Sequence, residues 1–129
     1  PMIVLDTHAL IWWTLDPDRL SDKAREHCLR LRDTGACISS ISIWEIGIKV
    51  KRGHLDLGLT VDSFLGRLQR LSWLEIAPVT AANWIANLNL DWDHRDPADR
   101  TIVALAQMRA LPLLSKDETI RAYYPLAVW

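Results

Sequence analysis

Cysteine is scarce in this chain of 129 residues, with only Cys28 and Cys37 present and no C-x-x-C spacing between them. Two such residues, without a matching histidine pair, supply neither a disulfide framework nor a thiolate metal site. Both lie in apolar helical or strand-like surroundings and read as reduced core positions, which fits the cytoplasm. Long apolar runs are also missing: none approaches the roughly 20 residues of a membrane span. The chain enters a strand directly at Met2-Ile3-Val4-Leu5, with no signal-peptide pattern ahead of it. These features predict a cytoplasmic protein with no membrane partner. Repeats, low-complexity tracts and interdomain linkers are absent too, so residues 1–129 read as a single domain, large enough to bury a core without cross-links. Nor is there an excess of positive charge. The formal net charge is −1, although the residues left when four acids are set aside are net positive, so a nucleic-acid partner is allowed but not demanded.

What the chain does contain is short apolar runs alternating with helical patterns. Met2 to Leu5, Ala36 to Ser39, Leu74 to Val79 and Pro112 to Leu114 are predicted strands, with a last apolar run from Leu126 to Trp129. Between them, helices are predicted over His8 to Thr14, Ser21 to Arg32, Ser42 to about Gly53, Thr80 to Asn87 and from Pro97 onward. Val61, Phe64, Leu65, Leu68 and Leu71 add an i, i+3, i+4, i+7 stripe, the mark of an amphipathic helix. The crossovers are too long for hairpins, so the strands form a parallel sheet covered on both faces, an α/β fold.

Four acids stand where an apolar run ends or a helix begins: Asp6, Glu45, Asp99 and Asp117. Each has a capping alternative. Asp6 could cap the helix that starts at Thr7, and Asp117 the turn at Glu118. Glu45 follows Ser42 in an S-x-x-E capping-box pattern, and Asp99 stands in the same relation to Asp96. As a set, however, they fall at the carboxyl edge of a parallel sheet, where such folds bind ligands. A carboxylate cluster with no competing Cys or His suits Mg2+ or Mn2+, with water positions left for phosphate oxygens. Asp6 and Asp99 are the preferred direct ligands. Glu45 is a candidate to position or deprotonate an attacking water, and Asp117 to complete the shell or hold a second ion. Asp96, preceding Pro97, is better placed as the helix cap and enters only as a possible outer-sphere group.

Lys49, Lys51 and Arg52 follow Glu45, while Arg100 and Lys116 adjoin other acids. They are candidate contacts to a nucleic-acid backbone, against the alternative of solvated helix ends. His8, His27 and His94 show no spacing that makes a ligand set. Of the seven tryptophans, adjacent Trp12 and Trp13 cannot both face inward from one helix, which points to a protein interface there.

The stretches Ile3-Val4-Leu5-Asp6-Thr7-His8-Ala9-Leu10, Ser39-Ser40-Ile41-Ser42-Ile43-Trp44-Glu45-Ile46, His94-Arg95-Asp96-Pro97-Ala98-Asp99-Arg100 and Leu114-Ser115-Lys116-Asp117, in this order, resemble the PIN domain. Within it, they resemble the VapC-type toxins of bacterial toxin–antitoxin pairs. The resemblance spans nearly the whole chain. It implies a three-layer α/β/α sandwich around a parallel sheet and Mg2+- or Mn2+-dependent endoribonuclease activity. It places the family's acidic tetrad on Asp6, Glu45, Asp99 and Asp117, and implies a homodimer silenced by a cognate antitoxin. One departure is Ala98, where relatives of this subgroup often carry an aromatic residue. The competing reading is a non-catalytic RNA- or protein-binding module of the same fold. A phosphatase or phospho-receiver built on Asp6 is weaker: His8 stands where the phosphatase pattern needs a second Asp, and no acidic pair precedes Asp6 as a receiver requires.

Overall fold

The computed structural model describes residues 2–129. Among them, five strands form one parallel sheet in the order β3-β2-β1-β4-β5: β1 (Ile3–Leu5), β2 (Ala36–Ser39), β3 (Leu74–Ala77), β4 (Leu113–Leu114) and β5 (Ala127–Val128). The helices are α1 (Thr7–Leu15), α2 (Asp22–Leu29), α3 (Leu31–Thr34), α4 (Ser40–Lys51), α5 (Val61–Gln69), α6 (Ala81–Asn89), α7 (Pro97–Arg109) and α8 (Glu118–Tyr123).

Successive residues of a strand face opposite sides of the sheet, and the core divides accordingly. Ile3 and Leu5 of β1, Ile38 of β2 and Leu114 of β4 pack with Leu10 of α1, Leu31 of α3, Ile46 of α4 and Phe64 and Leu68 of α5. Val4, Cys37 and Leu113 point the other way, onto Ile102 and Val103 of α7 and Ile120 of α8. The fold is therefore the expected three-layer α/β/α sandwich. Both faces are covered, which is why the strands read as unbroken apolar runs. Full burial of side chains such as Leu5 and Ile102, both 0% exposed, contributes about 1.5–3 kcal/mol each.

Chain direction across the sheet places the site. The path β1 to β2 to β3 steps outward on one side, with α1 to α5 on one face. It then crosses to β4 on the far side of β1, with α6 and α7 on the other face. Right-handed crossovers in two directions require this change of face. The reversal lies between β1 and β4, and a crevice opens beyond the carboxyl ends of those strands.

Three local expectations differ from the structure. Residues 21–32, read as one helix, form two, because the backbone at Arg30 turns to φ −100°, ψ −1° and its N–H closes back on the His27 carbonyl at 3.1 Å. Helix α4 starts at Ser40 and not at Ser42, since the Ser39 hydroxyl accepts the Ile41 N–H at 3.2 Å and acts as cap. Strand β3 stops at Ala77, short of Val79, because Pro78 has no N–H to give to the ladder.

Helix α7 ends on Ala110 in the left-handed region at φ 52°, ψ 42°. An L-residue with a Cβ is disfavoured there by about 1–2 kcal/mol, and glycine is the usual occupant. Ala110→Gly is expected to raise stability by up to about 1 kcal/mol, less than the full penalty because glycine also loosens the unfolded chain. Urea unfolding measures the change, and a lowered midpoint would contradict the strain.

Candidate active site

Asp6 directly follows β1 and caps α1, its Oδ1 accepting the Ala9 N–H at 2.8 Å. Asp117 follows β4 and caps α8, its Oδ1 accepting from Thr119 at 2.8 Å and Ile120 at 3.1 Å. Asp96 caps α7 by accepting the Asp99 N–H at 2.9 Å, and Asp99 lies in the first turn of that helix. Glu45 sits in the second turn of α4, so its capping-box reading falls with the helix start at Ser40. All five acids line one cleft of about 550 Å3 together with Thr7, His8, Trp12, Lys49 and Lys116. Capping and cleft lining coexist, because the bonds at Asp6 and Asp117 use Oδ1 alone and leave Oδ2 for other partners.

Burial and mutual repulsion define the electrostatics. Asp6 is 5% exposed, and its burial pushes the carboxyl up to about 6, against the Ser115 hydroxyl and the Ala9 N–H, with the charges of Asp117 and Glu45 adding to the rise. Glu45 is likewise raised by burial; the Thr7 hydrogen bond and Lys49 oppose the shift, while Asp96 and Asp99 reinforce it. Asp99 is raised by burial, opposed by its bond to His94 and reinforced by Asp96 and Asp117. Carboxylates desolvated next to one another are unfavourable without a counter-charge.

Among the described residues, no three His, Cys, Asp or Glu side chains close tightly enough to cage an ion by themselves. The five acids instead form an open cluster of carboxylate oxygens in the cleft. That fits Mg2+ or Mn2+, which bind through one or two carboxylates and keep several waters, and does not fit a structural zinc site. When bound, such an ion would supply Lewis-acid stabilisation of a phosphodiester and a water of lowered pKa.

Several groups in and around the cleft carry no strong sequence signal. The Thr7 hydroxyl bonds both Ser42 Oγ, at 2.9 Å, and Glu45 Oε1. Ser115 Oγ accepts the Asp117 N–H at 3.1 Å and also bears on Asp6. His94 Nε2 lies 2.8 Å from Asp99 Oδ2. Proximity of Thr7 and Ser115 to strand ends is the one hint the sequence offers; the His94 contact has none, because its partner is reached around the start of α7.

Of the basic candidates, Lys49 and Lys116 line the cleft, and Lys49 and Arg52 line an adjoining recess with His54. Lys51 is exposed and lines neither. Arg100 requires a correction: its guanidinium donates to the carbonyls of Asn87 at 2.6 Å, Leu90 at 3.3 Å, His94 at 3.0 Å and Trp92, and its Nε to Asn87 Oδ1 at 3.3 Å, so all five donors are spent tying the 90–94 loop to α6 and none is left for a phosphate. Trp12 and Trp13 are both half-buried, edge-on to Trp129 and Trp73 respectively. The exposed pair is Trp44 of α4, 63% accessible, and Trp84 of α6, 44% accessible. These two line an apolar groove with Ile41, Pro97 and Ala98 that shares Glu45 and Asp96 with the cleft.

Comparison with known proteins agrees with this fold. The PIN domain model matches residues 3–125. Ribonuclease VapC22 of Mycobacterium tuberculosis is 31% identical over 134 aligned positions, covering 98% of each chain. Among solved structures, VapBC2 from Rickettsia felis, bound to a DNA fragment from its promoter, superposes with a TM-score of 0.71 at 18% identity, over 99% of this chain and 96% of that one. A toxin–antitoxin complex from Klebsiella pneumoniae superposes with a TM-score of 0.66 at 22% identity, over 98% and 96%.

Proposed function

Because the chain belongs to the PIN-domain family, we propose that it is a cytoplasmic, Mg2+- or Mn2+-dependent endoribonuclease, the toxin of a toxin–antitoxin pair. The observation that carries this reading is the convergence of Asp6, Glu45, Asp99 and Asp117 on one cleft at the sheet's topological switch point. Asp6 and Asp99 would hold the ion directly. Glu45, with one oxygen fixed by Thr7, orients the attacking water and takes its proton, which suits a carboxylate that burial makes more basic than usual. Asp117 completes the shell or serves a second ion. Lys49 and Lys116 offer positive charge to the scissile strand, and Lys51 and Arg52 to its continuation.

The names of the relatives support an antitoxin partner. The apolar groove at Trp44 and Trp84 gives such a partner a seat next to the acids, since aromatic pockets anchor protein interfaces. The chain would act as a homodimer.

Cleavage of a panel of structured and single-stranded RNAs tests the reading. Activity with Mg2+ or Mn2+ is expected to vanish in excess chelator and return when the ion is restored. Binding without cleavage in either metal would instead identify a non-cutting module of the same fold. No helix among the described residues is long and apolar enough to cross a membrane.

A further inference from the structure

His94 lies outside the acidic set, yet both its ring and its backbone carbonyl are held close to the cleft. Its ring packs 4.7 Å from that of Trp92, which stacks at 4.7 Å and 9° on Tyr123, the last residue of α8. Its carbonyl accepts from Arg100 at 3.0 Å, and the same guanidinium grips the carbonyls of Asn87, Leu90 and Trp92. Helix α8 begins at its cap Asp117 and ends at Tyr123. An aromatic strut thus runs from the helix that Asp117 caps, through Tyr123 and Trp92, to His94, whose Nε2 is 2.8 Å from Asp99 Oδ2. A carboxylate only accepts hydrogen bonds, so Nε2 carries the proton in this contact. Asp99 Oδ1 has no hydrogen-bond donor among the described residues, while Asp99 lines the cleft.

We propose that His94 is a positioning residue for the metal site: it fixes one oxygen of Asp99, leaves the other for the ion, and is itself held by the Trp92–Tyr123 stack and Arg100. Metal-ligating carboxylates depend on such outer partners, whose loss typically costs 10–100-fold in metal affinity or activity. The strut also ties the placement of Asp99 to that of Asp117, so two acids from different crossovers keep a set separation. The inference rests on the metal-dependent reading above.

Mn2+ affinity, measured by electron paramagnetic resonance, is compared in the wild type, His94→Ala, His94→Gln and Asp99→Asn, with the melting temperature recorded for each. His94→Ala is expected to weaken Mn2+ binding about 10–100-fold. His94→Gln, whose amide can put a donor near the Nε2 position, is expected to recover most of that loss. Wild-type affinity in His94→Ala beside weakened binding in Asp99→Asn would overturn the role of His94 while sparing the metal site. Equal loss in the Ala and Gln variants with unchanged melting temperature would also overturn it. Failure of the wild type to bind Mn2+ would overturn the metal reading and the proposal together.

Discussion

Asp6→Asn is expected to cut RNA cleavage sharply and, in the metal-free protein at pH 7, to make the fold more stable. Both effects have one origin. Burial pushes the Asp6 carboxyl up to about 6 from its ordinary 3.8, so the folded state holds its proton more tightly than the unfolded state does. The stability linked to that proton is fully present below about pH 4 and is lost as pH rises through about 6. At pH 7 the buried charge therefore costs the fold up to about 3 kcal/mol, at 1.36 kcal/mol for each pH unit of displacement. Asparagine removes the charge and can still cap α1, since its side-chain oxygen can accept the Ala9 N–H that Asp6 now receives. Removing the ligand should lower cleavage by at least about 100-fold, the scale on which a single preorganised electrostatic group acts in an active site. Thermal unfolding in chelator at pH 5 and pH 7.5 measures the stability part. The gap between wild type and variant should widen at the higher pH, and a gap that is flat or narrows would show that Asp6 is not held as a costly anion. Saturating Mn2+ should reverse the order, stabilising the wild type over the variant because the ion binds the folded state.

Glu45→Gln is the second large effect. The introduced amide keeps an oxygen for the Thr7 hydroxyl, so the second turn of α4 stays in place, but it cannot take a proton from water. The expected loss is about 100- to 10,000-fold in kcat, the usual contribution of a positioned base. KM for RNA should change little. Because burial raises the Glu45 carboxyl, wild-type cleavage should climb with pH as that group loses its proton, and the climb should be missing from whatever activity the variant retains. Full kcat in this variant would show that neither the proton-accepting ability nor the charge of Glu45 contributes to the chemistry.

The parts of this molecule that are legible in its sequence are those where one local pattern has one physical meaning. A run such as Ile3-Val4-Leu5 that is apolar on both alternations can only be buried on both faces, and two such runs flanked by long crossovers already imply a parallel sheet. Asp6 and Asp117 are readable as strand-end acids for the same reason. Degenerate signals mislead. Ser42 reads as the start of α4, but backbone geometry makes Ser39 the cap, which turns Glu45 from a capping-box partner into a cleft residue. The break between α2 and α3 has no Gly or Pro to announce it. Arg100 reads as a phosphate ligand because it neighbours an acid, but its guanidinium serves four carbonyls at the end of α6 and in the loop after it, whose path the sequence does not encode locally. Thr7 and Ser42 meet across 35 positions, a contact set by the pairing of β1 with β2 and invisible before that pairing is known.

Whether the carboxylate cleft is a metal site is measured most directly by anomalous diffraction from crystals soaked in Mn2+. An anomalous peak coordinated by Asp6 and Asp99 is the expected result, with Asp96 capping α7 and making no direct bond to the ion. A well-soaked crystal with no peak between those two carboxylates, or with Mn2+ bound only elsewhere, would contradict it.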